Sequence, residues 1–229
     1  MNIERNSFIR LAELSVYNWG SFQKLHTAVI SPCGTLITGD NGSGKSTLVD
    51  ALVALLQQPS RAYFNIAAAQ GDKSDRSLMT YIRGQFGKEL DGSGTSNLAS
   101  RKKGTLTALR ALYRAEPSDN VRNEGKLAED NSEIKSTTEQ SRTYKESHSS
   151  TECTLIVLFW TNQPSNSLQD LKRLYIVADK NIALKDILEG FRDYNTRHLK
   201  QQWANDKKVF FNDNFEAYRE LYSRRLYLE

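Results

Sequence analysis

Cysteine is almost missing. Cys33 and Cys153 are the whole complement of the 229 residues. Two thiols without metal-ligand spacing exclude a disulfide scaffold and read as buried thiols in a reducing compartment. Histidine is equally sparse: His26, His148 and His198 lie far apart and form no zinc pattern. No apolar run is long enough to span a membrane. Met1-Asn2-Ile3-Glu4-Arg5 leads into no apolar core of a secretory signal. A cytoplasmic setting is therefore expected. Hydrophobic residues make up 38% of the chain and mean hydropathy is −0.59. Both are low for a compact domain, so part of the chain is expected in solvent. The net charge of +4 is mildly basic, which permits nucleic-acid contact without demanding it.

Against this background one stretch stands out. Gly39-Asp40-Asn41-Gly42-Ser43-Gly44-Lys45-Ser46 fits G-x-x-x-x-G-K-[ST], the phosphate-binding loop. An apolar strand signal, Thr35 to Thr38, runs in. A helix signal, Thr47 to Gln57, runs out with Leu48, Leu52, Leu55 and Leu56 at helical spacing. At average glycine usage this pattern arises by chance in roughly one chain in a hundred of this length, and the flanks cut that further. Glycines let backbone N–H groups fan around phosphate oxygens without a Cβ in the way. The helix then points its partial positive charge and unpaired N–H groups at the same oxygens. Asn41, Gly42, Ser43 and Gly44 are expected to line the phosphates, with Lys45 bridging the β and γ groups as the catalytic cation. Ser46 is the expected Mg²⁺ ligand and Thr47 the expected neighbour of the α-phosphate. The cofactors so implied are ATP and Mg²⁺. Asp50 reads as a surface or capping charge.

The rest of the chain reads as follows. Phe8 to Tyr17 and Lys24 to Ser31 are expected strands around an Asn18-Trp19-Gly20-Ser21 turn. Pro59 ends the helix. Ser77 to Phe86 is a short amphipathic segment, and Gly84, Gly87, Gly92 and Gly94 mark a flexible stretch. Thr105 to Tyr113 could be helix or strand; the preceding Gly104 favours strand. Residues 117–150 hold almost no core material and are expected to be a solvated, mostly disordered insertion, with a charged helical excursion as the alternative. Thr154 to Trp160 is nearly all apolar, as in a strand covered on both faces. Arg173 to Ala178 is a second strand, antiparallel to it. Ile182 to Phe191 suggests a helix, Lys200 to Asn212 is ambiguous, and Asn214 caps a final helix to Leu228. Guanine-binding chemistry is excluded, since no N-K-x-D motif occurs and Asn181 follows Lys180 in the wrong order.

Three stretches together resemble the N-terminal ATPase head segment of SMC-like proteins, in particular the MukB/MksB group and JetC of the Wadjet plasmid-defence systems. They are Leu14 to Phe22, Thr38 to Leu52, and Tyr63 to Ala68 with Arg76 to Gly84. The resemblance implies an α/β P-loop NTPase of ABC/SMC-head type, with antiparallel strands beside a mixed sheet. It also implies that residues 1–229 form an incomplete, N-terminal half head. In that family the C-terminal half carries the signature motif, the Walker B carboxylates and the switch histidine. No L-S-G-G-type signature or heptad run is found here. Tyr175-Ile176-Val177-Ala178-Asp179 looks like a Walker B strand, but Lys180 follows where a catalytic glutamate would stand, so Asp179 reads as a turn carboxylate.

The same resemblance implies the partners: a C-terminal half head, a second head, a kleisin-type subunit and double-stranded DNA, in a nucleoid-associated setting. The implied role is an ATPase driving DNA loading, translocation or condensation, in plasmid defence or chromosome organisation. The alternative is an ABC-type ATPase of a nuclease-associated repair or phage-defence system. Little hydrolysis is expected from this segment alone. Arg61, Arg83, Arg101, Lys102 and Lys103 are candidates for DNA-phosphate contact. Asn18 and Trp19 are candidates for the border of the adenine or ribose.

Overall fold

A computed structural model describes residues 7–59, 64, 77–91, 94–99, 101, 104–117, 152–164 and 166–227. Eight strands and five helices are seen among them: β1 (Ser7–Trp19), β2 (Phe22–Val29), α1 (Lys45–Leu56), α2 (Leu78–Arg83), β3 (Gln85–Asp91), β4 (Gly94–Ala99), β5 (Thr105–Pro117), β6 (Glu152–Thr161), β7 (Lys172–Ala178), α3 (Leu184–Gly190), α4 (Thr196–Gln202), β8 (Val209–Asn212) and α5 (Phe215–Leu226). Six strands form one sheet in the order β2-β1-β5-β6-β7-β8, and β3 pairs β4 in a separate hairpin. Every pairing in the large sheet is antiparallel.

The sheet is packed on both faces. Cys153, Leu155, Val157 and Phe159 of β6 join α1, α2 and α5 in one core. The alternate residues Ile156, Leu158 and Trp160 join α3 and α4 in the other. That is why β6 reads as a continuous apolar run: its period-two alternation delivers a side chain to a dry layer at every position. Asn214 caps α5, its side-chain oxygen accepting from Glu216 N–H at 2.8 Å. Ser77 does the same for Thr80 at the start of α2, at 3.3 Å.

Several expectations are corrected. No mixed sheet is formed among the described residues; the sheet is antiparallel throughout. Thr35 to Thr38, expected as a strand, belongs to no ladder among the described residues. Leu36 on it is 86% exposed. The glycine-marked stretch after Gly84 contains the β3–β4 hairpin. The ambiguous 200–212 region divides between the end of α4 and edge strand β8. Cys33 is exposed and Cys153 buried, so only one of the two thiols lies in the core. Of the insertion expected at 117–150, Pro117 instead ends β5 and the remaining residues lie outside the described ones.

Candidate functional site

The loop of Gly39 to Ser46 leads directly into α1. Gly39, Gly42 and Gly44 take φ values of 148°, 85° and 96°, the region that glycine tolerates and other residues resist. At Gly44 a second constraint applies. A Cβ there would stand 3.1 Å from both the Phe22 ring and the Ser21 hydroxyl. The β1–β2 turn therefore presses against the loop, and a side chain at Gly44 would have to push Ser21 and Phe22 aside as well as adopt a strained φ.

The first turn of α1 is open toward solvent. Gly44 supplies no side-chain cap, and no acidic residue lies in the first turn. The first helical bond runs from Leu48 N–H to Gly44 C=O at 3.0 Å. Among the described residues the N–H groups of Gly44, Lys45, Ser46 and Thr47 have no acceptor. Unpaired N–H groups at a helix start carry the positive end of the helix dipole. Lys45 curls back over its own loop, its Nζ donating to the carbonyls of Gly39 at 2.6 Å and Asp40 at 2.8 Å. An ammonium has three donors, so one remains for an outside acceptor. The exposed Ser46 adds a hydroxyl beside it. The donor set is entirely cationic or N–H and O–H. It fits the anionic oxygens of a polyphosphate, and the Ser46 hydroxyl is the member of the set that could take the counter-cation.

Asp50, expected on the surface, is buried and accepts a hydrogen bond from the Tyr81 hydroxyl. Burying a carboxylate demands a partner, and α2 supplies one across the helix pair. Trp19 is wholly buried, 0% exposed. Its ring stacks on Tyr81 at 4.7 Å and meets Phe64 edge-on at 6.1 Å. Its indole N–H donates to Thr47 C=O at 2.8 Å. It is a core residue under the loop, with no face open to an adenine. Asn18, at φ 51°, gives its amide N–H to Leu106 C=O at 3.2 Å and accepts from Lys24 N–H at 2.9 Å. It is a turn residue whose side chain is committed to the fold.

The arginines expected on a basic face turn inward. Arg83 is 1% exposed and donates to the carbonyls of Arg101, at 3.2 Å, and Gln163. Arg101 donates to Ile82 C=O at 2.8 Å, Gly20 C=O at 3.0 Å and Tyr81 C=O at 3.1 Å. Burial lowers the pKa of both guanidiniums. Both clamp backbone carbonyls where a DNA phosphate was expected. Arg61, Lys102 and Lys103 lie outside the described residues. Asp179, the Walker B look-alike, pairs through both oxygens with Arg225 of α5, one bond measuring 2.9 Å. That contact makes it a structural carboxylate.

Tyr81 is a partner of the loop helix that the sequence does not announce. Its position on the apolar face of a short segment was visible, but nothing in local spacing could connect it to Asp50, 31 residues earlier.

Comparison with known proteins agrees with the loop. Residues 11–71 match the model of the P-loop containing region of AAA domain. No curated protein matches the chain. The chain thus carries a P-loop NTPase region of nucleotide-binding type, spanning β1, β2, the loop and α1.

Proposed function

We propose that the chain is the ATP-binding half of an SMC-like ATPase head, completed by a C-terminal half head that supplies the strands and catalytic groups this sequence lacks. One observation carries the reading. The apolar stretch entering the phosphate loop, Thr35 to Thr38, joins no ladder among the described residues. Leu36 on it is 86% exposed and Ile37 41%. Exposed apolar side chains on a backbone that no ladder pairs are the surface that strand addition covers. In this reading the stretch becomes a central strand once the completing half supplies its neighbours.

ATP with Mg²⁺ is the ligand that the donors suit. The N–H groups from Gly42 to Thr47 and the Lys45 ammonium would hold the phosphates. The Ser46 hydroxyl would hold the cation, which neutralises phosphate charge when bound. The groups that position an attacking water would come from the completing half. A second head, a kleisin-type subunit and double-stranded DNA are the further partners of this reading, in the cytoplasm at the nucleoid. Lys102, Lys103 and Arg61 are its remaining candidates for DNA contact, since the Arg83 and Arg101 guanidiniums are engaged with backbone carbonyls.

Equilibrium dialysis of the 229-residue chain against labelled ATP tests the reading. Saturable binding that requires Mg²⁺ and disappears in Lys45→Ala is expected, with turnover no greater than that of the variant. Turnover by the chain alone that Lys45→Ala abolishes would overturn the half-head assignment. Absence of binding by the folded chain would overturn the nucleotide assignment.

A further inference from the structure

The start of α1 lacks the devices that ordinarily fix a helix terminus: it has neither a side-chain cap nor an acidic first turn. Its N–H groups are kept free, so its orientation has to be set from behind. The structure shows what sets it. Trp19 grips the Thr47 carbonyl at 2.8 Å. Tyr81, stacked on Trp19 with ring planes 22° apart, gives its hydroxyl to Asp50. Thr47 and Asp50 stand three residues apart, on one face of the helix. Gly20 completes the grip: a Cβ on it would come within 2.5 Å of the Thr47 methyl.

The holding group is itself anchored. Gly20 N–H donates to Tyr81 C=O at 2.8 Å. Arg101 donates to the carbonyls of both Gly20 and Tyr81, tying the turn to the end of α2. The same turn reaches the loop at its other side, where Ser21 and Phe22 limit Gly44.

We infer that Trp19 and Tyr81 are positioning residues of the phosphate site: the aromatic pair fixes the first turns of α1, and through Thr47 it aims the loop's free N–H groups and the hydroxyls of Ser46 and Thr47. This rests on the nucleotide-binding reading above. Donors fixed before the ligand arrives cost nothing to order on binding. When the indole N–H or the phenol hydroxyl is lost, the helix start can swing and those donors lose their alignment.

Trp19→Phe keeps the stacked ring and removes the N–H; Tyr81→Phe keeps the ring and removes the hydroxyl. Tyr222→Phe is the matched control. Its hydroxyl donates to Leu56 C=O at 2.7 Å, at the opposite end of the same helix. Mg·ATP affinity is read by equilibrium dialysis and folding by thermal denaturation, on the full chain. Trp19→Phe and Tyr81→Phe are expected to weaken binding by about 5- to 20-fold below their melting temperatures. Tyr222→Phe is expected to lower thermal stability while leaving affinity within about two-fold. Wild-type affinity in both site variants, or an equal loss in Tyr222→Phe, would overturn the positioning role and leave the nucleotide reading standing. If the folded wild-type chain takes up no Mg·ATP, the nucleotide reading fails and the positioning role fails with it. Should Trp19→Phe not fold, the near-isosteric Tyr81→Phe decides the case.

Discussion

The two flanks of the large sheet are finished to different degrees. Around β6 and β7 both faces are covered, Leu155, Ile156, Val157, Leu174 and Ile176 are fully buried, and α5 is pinned by its Asp179–Arg225 ion pair. From β2 through the loop to the first turn of α1 the reverse holds. Among the described residues, five of the eight large exposed hydrophobics fall between Leu25 and Val49, and the N–H groups at the helix start have no acceptor. The first flank is stabilised by its own contacts. The second leaves N–H donors and apolar side chains in water, the groups that the proposed nucleotide and completing half head would cover.

The contrast can be broken at several points. The largest expected difference is in thiol chemistry. Burial, and then the Asp179 carboxylate, push the Cys153 thiol up to about 12, whereas Cys33 is exposed on the unfinished flank. At pH 8 a thiol reagent should modify Cys33 at least about a thousand-fold faster than Cys153. Comparable rates in the folded chain, measured by mass spectrometry of the labelled peptides, would show that the β6 core is not closed. Next in size is packing. Leu155→Ala should destabilise the chain by about 2–5 kcal/mol in a denaturant titration, and Leu36→Ala should change it by less than about 0.5 kcal/mol. A large cost at Leu36 would mean that this stretch is packed within the chain.

A smaller effect is expected at the contact that links the flanks. Tyr222→Phe removes the hydrogen bond from α5 to the end of α1 and should cost about 1 kcal/mol. The smallest is a pH effect on the finished flank. The Lys180 ammonium, followed by the Lys208 backbone N–H, holds the Asp206 carboxyl below its ordinary value of 3.8. A folded-state pKa that is depressed contributes stability above the unfolded value, and that contribution is lost as pH falls through the folded one. Asp206→Asn should therefore lower stability slightly at neutral pH and flatten its decline below pH 3.8. An unchanged acid limb would remove the role assigned to this pair.

Much of the finished flank was legible in the sequence because its signals are local. The continuous apolar runs of β6 and β7 and the capping Asn214 each state their own environment. The phosphate loop was legible for the same reason, since its chemistry needs particular residues at fixed spacing. What failed was inference about direction. Arginine has a long stem and five donors, so its presence near an expected DNA face does not say whether it reaches outward or back to carbonyls; Arg83 and Arg101 reach back. Trp19 looked like a base platform because it sits in a turn, yet its indole N–H found Thr47. Asp50 looked solvated because the Tyr81 hydroxyl that donates to it lies 31 positions away in the chain. Thr35 to Thr38 carried the pattern of a strand without a ladder to join among the described residues, which local pattern cannot reveal.

Amide hydrogen exchange across Gly42 to Thr47, with and without excess Mg·ATP, tests the central claim most directly, since those N–H groups are the proposed phosphate donors. Slower exchange confined to that stretch and the following turn of α1, and abolished in Lys45→Ala, is the result predicted. A folded chain whose amides there exchange at the same rate in both conditions would contradict it.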